Sequence, residues 1–240
     1  MRPLILIPAY NEEKNIGQVI EKIRQYQPAC EILVINDAST DDTARIAREK
    51  NVEVISHPFN LGYGAVLQTG YKYALNKGYD YLVQLDADGQ HDPIKIKDFI
   101  EEFKKGEVDL IIGSRFLNQK HYPIPFFRLL GIKIFGFLVS LFTGQKITDS
   151  TSGYQGFNRK VLEFYTQDFF PSDFPDADVL ILAHRAGIRI KEIPATMYSS
   201  SRKSIHSGLR PLYYIFKMFL SIFILLISQG AQNTHKGCND

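Results

Sequence analysis

Short continuous apolar runs alternate along this chain with longer stretches in which apolar residues return every three or four positions. Leu4-Ile5-Leu6-Ile7, closed by Pro8, reads as a buried parallel strand. Beyond Ala9-Tyr10-Asn11-Glu12-Glu13, the residues Ile16, Val19, Ile20 and Ile23 recur at helical spacing. Asn11 is the expected N-cap there, and the glutamates suit the positive end of a helix. A second strand, Glu31 to Asn36, closes on Asp37-Ala38-Ser39-Thr40, where Ser39 or Thr40 is expected to cap the next helix. Val52 to Ile55 forms a third strand. Asn60-Leu61-Gly62-Tyr63-Gly64 then turns into a helix carrying Val66, Leu67, Tyr71, Ala74 and Leu75. Strands and helices alternating over short connections predict an α/β protein with a mostly parallel central sheet and helices on both faces.

The next run, Leu82-Val83-Gln84-Leu85, ends on Asp86-Ala87-Asp88-Gly89-Gln90-His91-Asp92-Pro93. Gly89 and Pro93 break the strand, so two carboxylates one residue apart stand at its carboxyl end. Open α/β sheets collect ligands there, and paired carboxylates suit Mg2+ or Mn2+, whose open positions diphosphate oxygens can fill. If the strand continues, Asp86 and Asp88 point to opposite sides, one toward a nucleotide and one toward the metal. The plain alternative is an acidic turn.

Farther on, 94–105 reads as a helix and Val108 to Arg115 as a strand with Arg115 at its end, suited to bidentate phosphate contact or to a surface ion pair. Pro123 opens an apolar helix through Phe142. Asp149 to Phe157 is a polar loop running into a strand-like turn, and Val161 to Tyr165 is helical. Pro175-Asp176-Ala177-Asp178 leads into another helix. Its two acids are either helix N-terminal charges or candidate bases. Ile188 to Ile193 alternates as an edge strand does. From Leu212 to Ile227 only Lys217 and Ser221 interrupt an apolar stretch. It falls short of the roughly twenty residues that cross a bilayer, so a helix lying at a membrane interface is expected, or one docked on the core.

Composition narrows this picture little. The chain has 240 residues, 45% apolar and 22% charged, with a formal net charge of +2, which excludes general nucleic-acid affinity. Arg202, Lys203, Arg210 and Lys217 concentrate charge beside the apolar C-terminal stretch. Cys30 and Cys238 lack metal spacing and read as free thiols of a reducing compartment. Met1-Arg2-Pro3 runs straight into the first strand, so no leader is expected. Gly62-x-Gly64 fails as a dinucleotide fingerprint because the third glycine is misplaced. Its glycines read as a tight turn or as a close approach to a base or ribose.

Together, Pro8-Ala9-Tyr10-Asn11-Glu12, Asn36-Asp37-Ala38-Ser39, Asn60-Leu61-Gly62, Asp86 to His91 and Gly113-Ser114-Arg115-Phe116 resemble family-two glycosyltransferases of the glycosyltransferase A fold. The likeness is greatest to the branch of dolichyl-phosphate mannosyltransferase and related polyprenyl-phosphate enzymes, and it covers about the first 205 residues. It implies that Pro8, Tyr10, Glu12 and Asp37 hold base and ribose, that Asp86 lies against the nucleotide, and that Asp88 with Gln90, beside Asp86, ligates Mg2+ or Mn2+. Arg115 and Arg128 match positions that handle acceptor phosphate or diphosphate, and Arg202 and Lys203 match a mobile basic loop near the donor. The Gln-x-x-Arg-Trp motif of processive synthases is absent, as is any tryptophan. The acids of Pro175 to Asp178 exceed the mannosyltransferase pattern.

The resulting expectation is an inverting transferase that moves a sugar from a UDP- or GDP-linked donor to a polyprenyl phosphate, at the cytoplasmic face of the membrane. Its catalytic domain spans 1–208, with a nucleotide-sugar half (1–116) and an acceptor half (117–208). A 209–228 interfacial helix and a 229–240 tail follow. Two alternatives stay open: transfer to a soluble or protein-linked hydroxyl, with Asp176 or Asp178 as base, and an inactive nucleotide-sugar-binding partner protein.

Overall fold

A computed structural model describes residues 2–117, 126–173, 175–198, 216–222 and 224, with 126–128 as backbone. In chain order the elements are β1 (Pro3–Ala9), α1 (Ile16–Tyr26), β2 (Glu31–Asn36), α2 (Thr43–Glu49), β3 (Glu53–Ser56), α3 (Tyr63–Asn76) and β4 (Tyr81–Gln84). A short 3-10 turn (Pro93–Lys95) leads into α4 (Ile96–Lys104), followed by β5 (Leu110–Ser114), α5 (Phe126–Thr143), β6 (Gln155–Asn158), α6 (Arg159–Tyr165), α7 (Ala177–Arg185) and β7 (Ile190–Pro194). Residues 216–222 and 224 are helical and are referred to as the C-terminal helix.

The seven strands form one sheet in the order β3-β2-β1-β4-β6-β5-β7. All neighbours run parallel except β6, which is antiparallel to both β4 and β5. This is the mixed α/β architecture of the glycosyltransferase A fold. Apolar strand residues alternate between two cores. Leu4, Leu6, Leu33 and Leu82 pack under α3, α5, α6 and α7, whereas Ile5, Ile7, Val34 and Val83 pack under α1, α2 and α4. The helices are amphipathic for the same reason: Ile16, Val19, Ile20 and Ile23 of α1 are all buried.

Several local expectations are corrected. Asn11 does not cap α1. Its backbone takes a left-handed φ of 54°, and its Oδ1 accepts the Thr40 amide at 2.9 Å. Ser39 Oγ accepts the Asn11 amide at 2.9 Å and Thr43 Oγ1 the Glu12 amide at 2.7 Å. The polar side chains of these two loops thus tie the carboxyl ends of β1 and β2 together instead of capping helices, which begin later at Ile16 and Thr43. Gly64 makes its close approach to protein backbone. A Cβ there would collide with the Pro171 carbonyl, and the Gly64 and Ala65 amides donate to Asp173 O (3.2 Å) and Ser172 O (2.9 Å). Of the C-terminal stretch, residues 216–222 and 224 are described, and there Met218 and Ile222 dock one face on the core that holds Phe135 and Val139 while Phe216, Phe219, Leu220 and Ile224 stay exposed. Among the described residues no helix is long and apolar enough to cross a membrane.

Candidate active site

The carboxyl ends of β1, β2 and β4 lie side by side, with Ala9 opposite Asn36 and Leu6 opposite Gln84. Pro8 is buried at the end of β1, and Tyr10 just beyond it is 47% exposed. Glu12 Oε2 accepts from Asn15 Nδ2 at 2.8 Å. Asp37 is buried, and its two oxygens accept the Leu61 and Gly62 amides at 2.9 and 3.0 Å. His57 Nδ1 stands 2.8 Å from Asp37 Oδ1, with Nε2 on Thr69 Oγ1 at 3.0 Å. Asp37 therefore fastens the glycine-bearing turn to the end of β2.

β4 stops at Gln84, so Asp86 and Asp88 sit on the turn beyond it and not on opposite faces of a continuing strand. Gly89 takes the φ of 76° that this turn requires. Asp88 Oδ1 accepts the Gln90 amide at 2.9 Å, and the Asp86 amide donates to His91 Nδ1 at 3.0 Å. His91 is buried and stacked 4.9 Å from Tyr154. Burial pushes its pKa down to about 4, so the ring is neutral, with Nδ1 accepting and the proton on Nε2.

The Asp86 carboxylate, 33% exposed, is reachable from solvent and is held from beneath. Tyr63 Oη donates to Asp86 Oδ1 at 3.0 Å, Gln84 Nε2 donates to Tyr63 Oη at 3.2 Å and to Gly153 O at 3.1 Å, and Tyr71 Oη donates to Gln84 Oε1 at 2.7 Å. A Cβ on Gly153 would stand 3.0 Å from Asp86 Oδ2. Sequence reasoning missed Tyr63, Gln84 and Gly153. The available signal was Gln84 itself, a polar residue inside an otherwise apolar central strand, where a buried amide needs partners.

Among the described residues no cluster of three or more His, Cys, Asp or Glu forms a closed metal cage. The donors at hand, the carboxylates of Asp86 and Asp88 and the side chain of Gln90, are oxygen ligands on one turn. That set suits a hard divalent ion that completes its shell with water and phosphate oxygens.

A cavity of about 20 Å³ adjoins the turn, lined by Tyr63, Gln84, Ser152, Gly153, Pro175 and Asp176, with room for about one water. Of the two acids predicted as bases, only Asp176 reaches it. Asp178 is buried on α7, where its Oδ2 accepts from Ser221 Oγ at 2.5 Å and its Oδ1 from the Val179 amide at 2.9 Å. Burial raises its pKa. Asp178 is thus a tie between α7 and the C-terminal helix and not a base.

Arg115 makes a buried pair and not a surface one. Its Nε and Nη2 donate to the two Asp149 oxygens at 2.7 and 2.5 Å, its amide donates to Oδ2 at 3.0 Å, and Nη2 also reaches Thr151 Oγ1 at 3.1 Å. Asp149 is fully buried. The guanidinium expected at a phosphate therefore holds the 149–151 loop behind the acidic turn. Arg128 lies in the first turn of α5 with its side chain outside the described residues, as are Arg202 and Lys203.

The sequence places the chain in a class of sugar-transferring enzymes. Residues 4–166 match the model described as Glycosyl transferase family 2, and the chain belongs to that family. It is 30% identical over 221 residues to a UDP-N-acetylglucosamine–dolichyl-phosphate N-acetylglucosaminyltransferase of Methanococcus voltae, covering 82% of this chain and 88% of the relative. It is 31% identical over 204 residues to an undecaprenyl-phosphate mannosyltransferase of Micrococcus luteus, covering 82% and 83%. Among solved structures, glucosyl-3-phosphoglycerate synthase of Mycobacterium tuberculosis, crystallised with Mn2+ and UDP, superposes with a TM-score of 0.67 at 18% identity, over 93% of this chain and 78% of that one. This likeness bears on the fold.

Proposed function

We propose that the protein transfers a sugar from a UDP- or GDP-linked donor to a polyprenyl phosphate, with inversion, at the cytoplasmic surface of a membrane. The observation that carries the reading is the reachable acidic turn, Asp86 with Asp88 and Gln90, set beyond β4 and beside the ends of β1 and β2. The relatives named for transfer to dolichyl and undecaprenyl phosphate support the acceptor, and a structural neighbour crystallised with Mn2+ and UDP-glucose supports a divalent ion with the donor.

In this reading Pro8, Tyr10, Glu12 and Asp37 bound the base and ribose, Tyr10 by its exposed ring and Asp37 by holding the 60–62 turn. Asp86, Asp88 and Gln90 hold Mg2+ or Mn2+, which when bound offsets charge on the departing diphosphate. Tyr63 and Gln84 orient Asp86, and Arg115 acts as a positioning residue through Asp149. Arg128, Arg202 and Lys203 supply cations for phosphate oxygens. A lipid phosphate, its second pKa near 6, is ionised at neutral pH, so it needs orientation more than a base. A second reading, transfer to a hydroxyl, is favoured by one observation: Asp176 lines the cavity next to Tyr63 and Gly153, where a carboxylate would take the hydroxyl proton.

The test is release of nucleoside diphosphate from a panel of UDP- and GDP-sugars, with Mn2+ or with chelator, with and without a polyprenyl phosphate. Release that requires both the ion and the lipid phosphate is expected. Donor binding with no turnover on any acceptor would leave an inactive binding protein. Asp88→Asn should lower turnover at least about 100-fold, the loss of several kcal/mol of transition-state stabilisation, at an unchanged melting temperature. Full activity in that variant would remove the metal assignment.

A further inference from the structure

Resting on the reading of Asp86, Asp88 and Gln90 as ligands of a divalent ion, we propose that Tyr198 is a positioning residue that sets the affinity for that ion, through a short segment of chain laid along the acidic turn. β7 ends at Pro194, and the Ala195 amide still donates to Ser114 O at 2.9 Å. The next three residues, Thr196 to Tyr198, pair with the turn instead. His91 and Met197 form an isolated antiparallel bridge. On one side of it the Tyr198 amide donates to Gln90 O at 2.8 Å, and on the other the Asp92 amide donates to Thr196 O at 3.4 Å, the pattern of two antiparallel strands. Tyr198 Oη then donates to Asp92 Oδ2 at 3.0 Å. Backbone and side chain of one residue thus hold both ends of the 90–92 limb of the turn.

The limb is also held by the core. Tyr154 Oη donates to Asp92 O at 3.0 Å, and the His91 ring stacks on Tyr154 while its Nδ1 accepts the Asp86 amide. Asp92 divides its carboxylate, Oδ1 accepting the Ile94 amide at 3.1 Å and Oδ2 the Tyr198 hydroxyl. Between these clamps the Gln90 amide donates to Asp88 Oδ1 at 2.9 Å. An ion drawing on Asp88 competes for that carboxylate, so Gln90 keeps its place only with a hold that does not come from Asp88. The Tyr198 amide is such a hold. Small divalent ions tolerate little displacement of their oxygen ligands, and Gln90 brings a neutral amide oxygen to a set otherwise made of carboxylates, so it contributes most when already in place. Were these contacts merely a tether for the end of β7, their loss would lower stability and leave the affinity for the ion alone.

Free Mn2+ would be followed by its electron paramagnetic resonance signal as the ion is titrated into the full chain, alone and with UDP or GDP, for wild type, Tyr198→Phe and Tyr198→Pro. The Phe variant loses the hydroxyl bond to Asp92, and the Pro variant loses the amide bond to Gln90 as well. The dissociation constant should rise about threefold in the first, the effect of one partly exposed hydrogen bond, and at least about tenfold in the second. The melting temperature of Tyr198→Phe in chelator should match that of wild type. Equal Mn2+ affinity in wild type and either variant, or a lower melting temperature in chelator with no change in affinity, overturns the proposal and leaves the transferase reading standing. A wild type that binds no Mn2+ under any of these conditions overturns the metal assignment and the proposal together. If the affinities fall as stated while wild type transfers sugar to no acceptor, the transferase reading fails and the role of Tyr198 stands.

Discussion

Tyr63 illustrates how a single side chain sets the chemistry of a carboxylate. Its hydroxyl donates to Asp86 and accepts from Gln84, whose own carbonyl is held by Tyr71, so a line of hydrogen bonds runs from the core to the acidic turn. Under the proposed role of Asp86 as a metal ligand, this hydrogen bond would set the orientation of the carboxylate. Outer partners of this kind are typically worth about 10–100-fold in metal affinity or activity. Tyr63→Phe should therefore raise the Mn2+ concentration giving half-maximal turnover by about tenfold, with little change in the melting temperature. An unchanged metal requirement would show that Asp86 is held by its backbone alone. The contrast between Asp176 and Asp178 belongs to the same scale. Two acids of one helix start, indistinguishable by spacing, part company because one lines the cavity and the other meets Ser221, 43 residues on.

Among the elements, β6 does most to shape the site. It enters the sheet antiparallel between β4 and β5, with Gln155 opposite both Gln84 and Ile112. The 149–153 loop is thereby delivered behind the acidic turn, where Gly153 closes on Asp86. Arg115 and Glu192 keep that loop in place from two sides. Glu192, on β7, accepts the Thr148 and Asp149 amides at 2.9 and 2.8 Å, and Asp149 in turn receives Arg115. Because Asp149 is fully buried, removing its partner would strand a carboxylate in the interior. Arg115→Ala should cost about 3–5 kcal/mol of stability, measured by urea unfolding. A loss below about 1 kcal/mol, the scale of a surface pair, would contradict the buried pairing.

Seen whole, the molecule places the acidic turn at one pole of the sheet and an ionic anchor at the other. At the start of β5, buried Asp109 accepts from the Arg189 amide and side chain, at 2.9 to 3.0 Å, and from Asn158 at 2.8 Å, joining the ends of β5, β6 and β7. Burial by itself would raise its pKa, but the Arg189 and Asn158 hydrogen bonds and the nearby Lys160 charge hold the carboxyl well below the usual range. A depressed folded-state pKa contributes stability that is complete above the unfolded value of about 4 and is lost as the pH falls below it. The melting temperature should hold between about pH 5 and 7 and fall below about pH 4. Asp109→Asn should start lower at neutral pH and lose less on acidification. Identical pH slopes for the two proteins would remove Asp109 from that role.

The linear order of residues by itself determined the alternating strands and helices, the apolar faces that bury them, and the acids beyond β4, because periodicity and the punctuation by Gly89 and Pro93 are local properties. Only the tertiary structure decided that β6 runs against its neighbours, that Arg115 turns inward to Asp149, that Asn11 and Ser39 lash two loops together, and that Tyr63 and Gln84 orient Asp86. Each of these depends on which distant group a polar atom meets once water is excluded. That choice is made by the packing of the sheet and leaves no trace in the spacing along the chain.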